Sequence, residues 1–359
     1  MAPQADRILR FLLGLALFAA LCAQALAQQP KVPESFAPLI ASLWPDAQAR
    51  GISRKTFDLA FAGLTPDPRV AALTMRQPEY GAPVAAYLAR IASQARIEGA
   101  ARKAREWKPT LDAIEKQYGV DRWIILALWG IEKSFGANNG GFDVIRSLAT
   151  LVAINYRPDY FRDELLAAVR VLQQRQVARE KMIGSWAGAM GQPQFMPSNF
   201  LELAIDFSGD GRKDIWASVP DVLASIANFL KHWGWKVGAA WGCEVVIPQG
   251  FDYRRSRASY AEWAALGLKR ADGTPVPSEG NAILFFPSGA AGPAFLVGEN
   301  FEVVKRYNNS DVFALAATQI ADRAQGHGGV RGAWPANDPQ LTRAERIALQ
   351  MRMKELGHP

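Results

Sequence analysis

Apolar residues recur at helical spacing over most of the chain, and the pattern changes in one region only. SFAPLIASLWPDAQARG, residues 35–51, places apolar side chains three and four apart and ends on Gly51. ISRKTFDLAFAGL follows, with Ser53 as N-cap and Phe57, Leu59, Phe61 and Leu64 as core candidates. Pro66 and Pro68 interrupt the helical pattern, which resumes over 85–119 with basic residues on its outer face. Residues 119–235 predict more helices and hold most of the glycine-rich turns. After Trp235 come CEVVIP, AILFFPSG, AFLVG and FEVVKRY, short runs rich in Val, Ile and Phe and bounded by Gly, Pro and Ser. These are strand signals, and they predict a small inserted β subdomain over about 236–306. Helix returns in SDVFALAATQIADRAQ. The polar stretch 326–340 reads as a linker, and 341–359 as one amphipathic helix. The class is mainly α, with an N-terminal helical region at 28–118, a larger region at 119–330, and a linker and terminal helix at 331–359.

The first 27 residues stand outside this pattern. Arg7 and Arg10 precede the apolar run FLLGLALFAALCAQA, and Ala25-Leu26-Ala27 fits a small-x-small cleavage site. The run is short for a membrane span, so an exported protein cleaved after Ala27, without a stable membrane span, is expected. Leu21 before Cys22 does not fit a lipoprotein site. Loss of Asp6, Arg7 and Arg10 would take the net charge from +7 to +6 and leave Cys243 as the one cysteine, so packing must replace disulfides. The 11 Trp and 18 Phe of the full chain suit buried cores and exclude a disordered chain. A basic exported protein suits an anionic cell-wall polymer; nucleic acid is not an expected partner. The three histidines have no metal-ligand spacing, and Trp233, Trp235 and Trp241 read as core residues near the helix-to-β junction.

The candidate chemistry lies in IILALWGIEKSFGANNGG, residues 124–141, a helix apolar almost all round that ends in a glycine-rich turn. Ile125, Leu128, Trp129 and Glu132 share a face. Poor solvation there would raise the Glu132 carboxyl pKa and suit it to give and take a proton. The plain alternative is a glutamate at a cleft edge, or one paired with Lys133 or Arg146. The second cluster is GSWAGAMGQPQFMPSNF, residues 184–200. Its small residues allow close backbone approach, and Ser185, Gln192, Gln194 and Ser198 could bond hydroxyl or acetamido groups; a tightly packed structural loop is the alternative.

In chain order, GIEKSFG at 130–136, ATL at 149–151, GSWAGAMGQPQFMPS at 184–198, DFSGDG at 206–211 and YNNS at 307–310 resemble the motifs of the lytic murein transglycosylase B family. The resemblance runs from about Ser35 to Arg323. It implies a lysozyme-like helical core and periplasmic cleavage of the MurNAc–GlcNAc bond of peptidoglycan glycan strands, with a 1,6-anhydro-MurNAc product. Glu132 then matches the catalytic acid, Ser185 and Gln194 match cleft residues, Tyr307 and Asn308 match the ligand-facing end of the last motif, and Tyr87 matches a cleft tyrosine by spacing. A monomer is expected. Most glycosidases use two carboxylates, whereas a 2-acetamido sugar can assist its own cleavage. No second acid stands in the Glu132 motif, so one residue is expected to act as acid and then base. Hydrolysis by water at the same cleft, and a non-catalytic wall-binding scaffold, are the competing readings.

DFSGDGRKDIWA, residues 206–217, is similar to a calcium-binding EF-hand loop. Asp206, Ser208 and Asp210 take positions 1, 3 and 5, Gly211 position 6, and Arg212 would offer its carbonyl at position 7. Ala217 stands where a bidentate glutamate is wanted. Asp221 closes a longer loop, as in some members of the family. Ca²⁺ would be structural, with no cofactor needed for the chemistry; an ion-free Asx turn is the alternative. The terminal helix resembles the opening helix of a peptidoglycan-binding module.

Overall fold

Seven consecutive buried residues, Ile124 to Gly130, form the middle of the helix Arg122–Lys133. A helix apolar all round must be covered all round. The helices Gln94–Glu106, Val219–His232 and Asp311–Ala324 pack on it and supply that cover. The computed structural model describes residues 32–75, 82–138, 140–338 and 340–357. The expected leader at 1–27 and Asn139 of the glycine-rich turn lie outside these residues.

The N-terminal region is helical as the periodicity predicts. The helix Ala37–Ala49 precedes Arg54–Phe61, where the Ser53 side chain caps the first turn by accepting from the Thr56 amide. Phe57 and Phe61 are buried, but Leu59 is 55% exposed. Phe57 and Phe61 are four apart and share a face, whereas Leu59 lies two positions on and points away. The pattern over 85–119 divides at Ser93 and Trp107 into Val84–Ile91, Gln94–Glu106 and Lys108–Tyr118. Pro109 sits in the first turn of the last helix, where its missing N–H is tolerated.

The inserted sheet is five-stranded and antiparallel: β3 (Gly242–Val246), β4 (Arg257–Ser259), β5 (Lys269–Arg270), β6 (Asn281–Phe285) and β7 (Ala294–Val297), in the order β4-β6-β7-β3-β5. All four residues of the central strand β7 are buried. Its alternation sends Phe295 and Val297 into the main helical core, while Ala294 and Leu296 join a second small core with Trp263 and Tyr260. One strand thus joins the two cores. A shorter pair, β1 (Phe142–Asp143) and β2 (Ile183–Gly184), lies within the helical part.

FEVVKRY is helical, not extended: Glu299–Lys305 is a helix with Glu299 and Glu302 in its first turn and Phe301 and Val304 buried three apart. Its β-branched residues suited a strand, but packing decided otherwise. The stretch 326–340 is docked rather than free. The amides of Arg331 and Gly332 donate to the Glu244 carboxylate, and Val84 N–H donates to Asp338. Trp233 is 43% exposed beneath the Arg306 guanidinium, whereas Trp241 packs between Phe295 and Phe301. The terminal helix Arg343–Glu355 leaves Ile347, Leu349, Met351 and Met353 exposed. Among the described residues no helix is long and apolar enough to cross a membrane.

Asp67 fixes the corner where the prolines interrupt the helices. It is almost fully buried and caps Pro68–Thr74 by accepting from Arg69 N–H. It also pairs with Arg69 at 2.6 Å and Arg146 at 3.6 Å, and its own amide donates to Thr150. The Arg69 hydrogen bonds hold its carboxyl below the usual range against the opposing effect of burial. Arg146 further donates to the carbonyls of Thr65 and Pro66, so it belongs to this corner. Asp67→Ala should cost about 1–3 kcal/mol of stability in denaturant unfolding near neutral pH. A depressed carboxyl stabilises the fold above its ordinary unfolded pKa, so the deficit should shrink as pH falls below about 4.

Candidate active site

Glu132 sits in the last turn of Arg122–Lys133, half-buried. The helix stops abruptly, because Ser134, Phe135 and Gly136 all have left-handed backbone, with φ of 48°, 61° and 85°. Two of the three are not glycine, at about 1–2 kcal/mol each. Packing offsets this cost. The Phe135 ring fills the space beside Gly99 and Gly130, where any side chain would overlap it, and meets Trp129 edge-on at 5.4 Å. Arg96 Nε donates to the Gly130 carbonyl at 2.9 Å, placing a cation at the helix C-terminus, where the dipole favours one.

The second cluster is folded onto this turn. β1 and β2 pair Phe142 with Gly184 and Asp143 with Ile183, and Gly140 lies so close to the Gly184 carbonyl that a side chain there would overlap it. Ser185 Oγ accepts the amides of Ala187 and Ala189. Met190 and Phe195 then bond each other in both directions, at 2.7 and 3.1 Å, and leave Gly191–Gln194 as a tip. Gln194 is left-handed at φ 54°, and its side chain donates to the Gly191 carbonyl at 2.8 Å.

Tyr307 completes the arrangement from the turn after Glu299–Lys305. Its hydroxyl donates to the Pro193 carbonyl at 2.8 Å, and its ring packs on Phe229 and Phe195. Burial, and then the charge of Glu132, push its phenol well above the ordinary value, so it stays protonated through neutral pH. Burial lowers the Lys133 ammonium, with Glu132 opposing. Among the described residues, Glu132 is the one carboxylate acting on either group. A half-buried carboxyl beside a phenol that remains neutral can both deliver and recover a proton.

Glu132, Tyr307, Gln194 and Ser185 are therefore tied to one loop. Asn308 is exposed beside Tyr307. Tyr87 is buried with the Arg90 guanidinium 5.5 Å from its ring. Burial lowers the pKa of Arg96, the residue that caps Gly130, and Tyr87 opposes that shift. Two candidate ligand-binders have structural partners instead. Ser198 gives its amide and hydroxyl to the buried Glu164, at 2.9 and 2.7 Å. Gln192 is buried between Trp129 and Trp216. Glu164, whose pKa burial raises, escaped the motif reading. Its signal was an acid beside Leu165 and one turn after Phe161 in an otherwise buried helix face.

The loop at 206–217 is closed by its own hydrogen bonds. Asp206 accepts the amides of Gly209, Asp210 and Gly211. Asp210 accepts Arg212 N–H, and Asp221 accepts Phe207 and Ser208 on one oxygen and Asp214 on the other. The Asp206 wrapping suits the start of a calcium loop, but the closing carboxylate is already occupied by amides. Among the described residues no group of three or more His, Cys, Asp or Glu converges as for a metal ion.

A profile of the family described as Transglycosylase SLT domain matches residues 35–322. The membrane-bound lytic murein transglycosylase B of Escherichia coli K12 is 34% identical over 225 residues, and the match covers 60% of this chain and 60% of that protein's length. Crystal structures of SltB3 from Pseudomonas aeruginosa, in complex with NAG-NAM-pentapeptide and with NAG-anhNAM-pentapeptide, superpose with a TM-score of 0.86 at 42% identity, over 91% of this chain and 89% of theirs. The Escherichia coli lytic transglycosylase Slt35, solved in complex with calcium, gives a TM-score of 0.69 at 26% identity, over 84% of this chain and 97% of that one.

The geometry at Phe135 makes a direct prediction. Phe135→Ala should cost about 3 kcal/mol in denaturant unfolding, because two glycines and Trp129 then face a void. A loss within error of zero would mean that the left-handed turn stands without the ring.

Proposed function

The chain belongs to the transglycosylase SLT domain family, and on that premise we propose that it is a lytic transglycosylase acting on the MurNAc–GlcNAc bonds of peptidoglycan. The observation that carries this reading is Glu132 itself: a half-buried carboxyl at a helix end, the one acid acting on Tyr307 and Lys133 among the described residues. Region 119–330 would be the catalytic part, with the N-terminal helices covering its central helix.

Protonated Glu132 gives its proton to the glycosidic oxygen as the C1–O bond breaks. The 2-acetamido carbonyl, or an oxocarbenium-like state, carries the positive charge at C1. Glu132, now a carboxylate, takes the proton from the C6 hydroxyl as O6 bonds to C1. The acid is regenerated and no water is consumed. Tyr307 holds the Pro193 carbonyl and so fixes the tip that carries Gln194, while Ser185, Asn308 and Tyr87 would face the glycan. The Pseudomonas relative bound to an anhydro-sugar peptide supports this product. The substrate, and the membrane-bound Escherichia coli relative, support a periplasmic location.

Calcium has a structural place in this reading. An ion at the 206–217 loop would be held by Asp206, Ser208, Asp210, the Arg212 carbonyl and Asp221, with Asp221 giving up amide bonds; the calcium complex of the Escherichia coli relative supports the assignment. The loop's own hydrogen bonds make the ion dispensable for folding. Chelation should therefore lower the melting temperature without unfolding the chain and leave turnover unchanged, whereas no heat on adding Ca²⁺ and no change in melting temperature would make the loop an ion-free turn.

Digestion of purified peptidoglycan followed by mass spectrometry tests the reaction. The expected muropeptide is lighter by one water than the reducing product, and Glu132→Gln should lower turnover by at least about 10³-fold with the fold retained, since acid and base are lost together. Reducing-end products would instead identify a muramidase. A protein that pellets with the wall and releases nothing would be a scaffold.

A further inference from the structure

We infer that Gln192 is the positioning residue that sets the height and direction of Glu132, an inference that rests on the reaction proposed above. The side chain is buried, and both ends of its amide are used. Oε1 accepts from Trp129 Nε1 at 2.7 Å, and Nε2 donates to the Trp216 carbonyl at 2.9 Å. Its backbone amide donates to the Ile215 carbonyl, also at 2.9 Å. Trp129 precedes Glu132 by three residues and shares its helix face. The same amide lies against Gly136, four residues after Glu132, where an added Cβ would come within 2.6 Å of Oε1. Gln192 therefore touches the chain on both sides of the acid.

The connection continues outward. Asp214 accepts the amides of Trp216 and Ala217 at 3.0 and 2.9 Å, and its own amide donates to Asp221. The last turn of the catalytic helix is thus fastened, through one glutamine, to the 206–217 loop. An amide suits this position because it accepts from an indole and donates to a carbonyl at once. Without it the buried Trp129 N–H has no acceptor, and the left-handed turn loses the surface it rests on. Gln192 is buried with both ends of its amide bonded within the protein, so the effect should fall on turnover rather than on substrate binding.

The test measures kcat, KM and melting temperature of the full mature protein for anhydro-product release from soluble glycan strands, across pH. Gln192→Leu should lower kcat about 10–100-fold with KM little changed. Trp129→Phe removes the same bond from the other side, so the double variant should be no slower than the slower single variant. Gln192→Glu gives a readout that a purely structural role would not move. Protonated, the introduced carboxyl accepts and donates as the amide does; ionised, it can only accept. Its kcat should stay near wild type at low pH and fall as pH rises through the pKa of the introduced group, a limb the wild type lacks. If Gln192→Leu does not fold, this limb decides alone. A folded Gln192→Leu with normal kcat, additive losses in the double variant, or no new limb would each overturn the inference while leaving the reaction standing. A wild type that releases no anhydro product would overturn the reaction, and this inference with it.

Discussion

A helix buried on every side can present a carboxylate to a ligand only at its end. Much of the architecture follows from that constraint. Ile124 to Gly130 are enclosed by three helices, so the chain emerges at Glu132 and must turn at once to avoid burying the acid or releasing it to water. Three consecutive left-handed residues make that turn, and the Phe135 ring, seated beside two glycines, makes it affordable. Glycine at 99 and 130 is thus a requirement of the aromatic side chain at 135 as much as of the local backbone.

The second consequence concerns the loop at 184–198. Its polar residues mostly satisfy one another: Ser185 accepts amides of its own turn, and Gln194 bonds its own tip. Such bonds rigidify a loop before any ligand arrives, which lowers the ordering cost of binding. Tyr307 extends the same rigidity across the fold, since its hydroxyl is spent on Pro193 while its ring stays near Glu132. The buried Gln192 amide and Glu164 carboxylate are both paired, as a low-dielectric interior demands.

How much of this was legible in the sequence depended on the range of the interaction. The helical periodicity of 35–64, Leu59 apart, and the isolation of Glu132 in an apolar helix are local properties, and they read correctly. The mainly α class with a small β insertion was legible for the same reason. FEVVKRY misled because Val303 and Val304 favour strands in isolation, whereas acidic residues at the helix start and the burial of Phe301 with Val304 decided for helix. Leu59 misled because it falls outside the face that Phe57 and Phe61 share. Ser198 and Gln192 looked like ligand-binding groups because a sequence lists donors and acceptors but not their partners. Glu164 and Trp129, which claim them, lie 34 and 63 residues away.

The calcium loop shows the same limit from the other direction. Its spacing predicts an ion, and Asp206 adopts the wrapping an ion would need. Yet the same carboxylates that spacing marks as ligands are the natural acceptors for amides in a tight turn. Asp221 is buried and bonds three of them. A metal must then compete with hydrogen bonds already made, so affinity depends on the energy of reopening the loop as well as on the number of oxygens. That reopening would act on the Asp214 amide and the strand of bonds behind it.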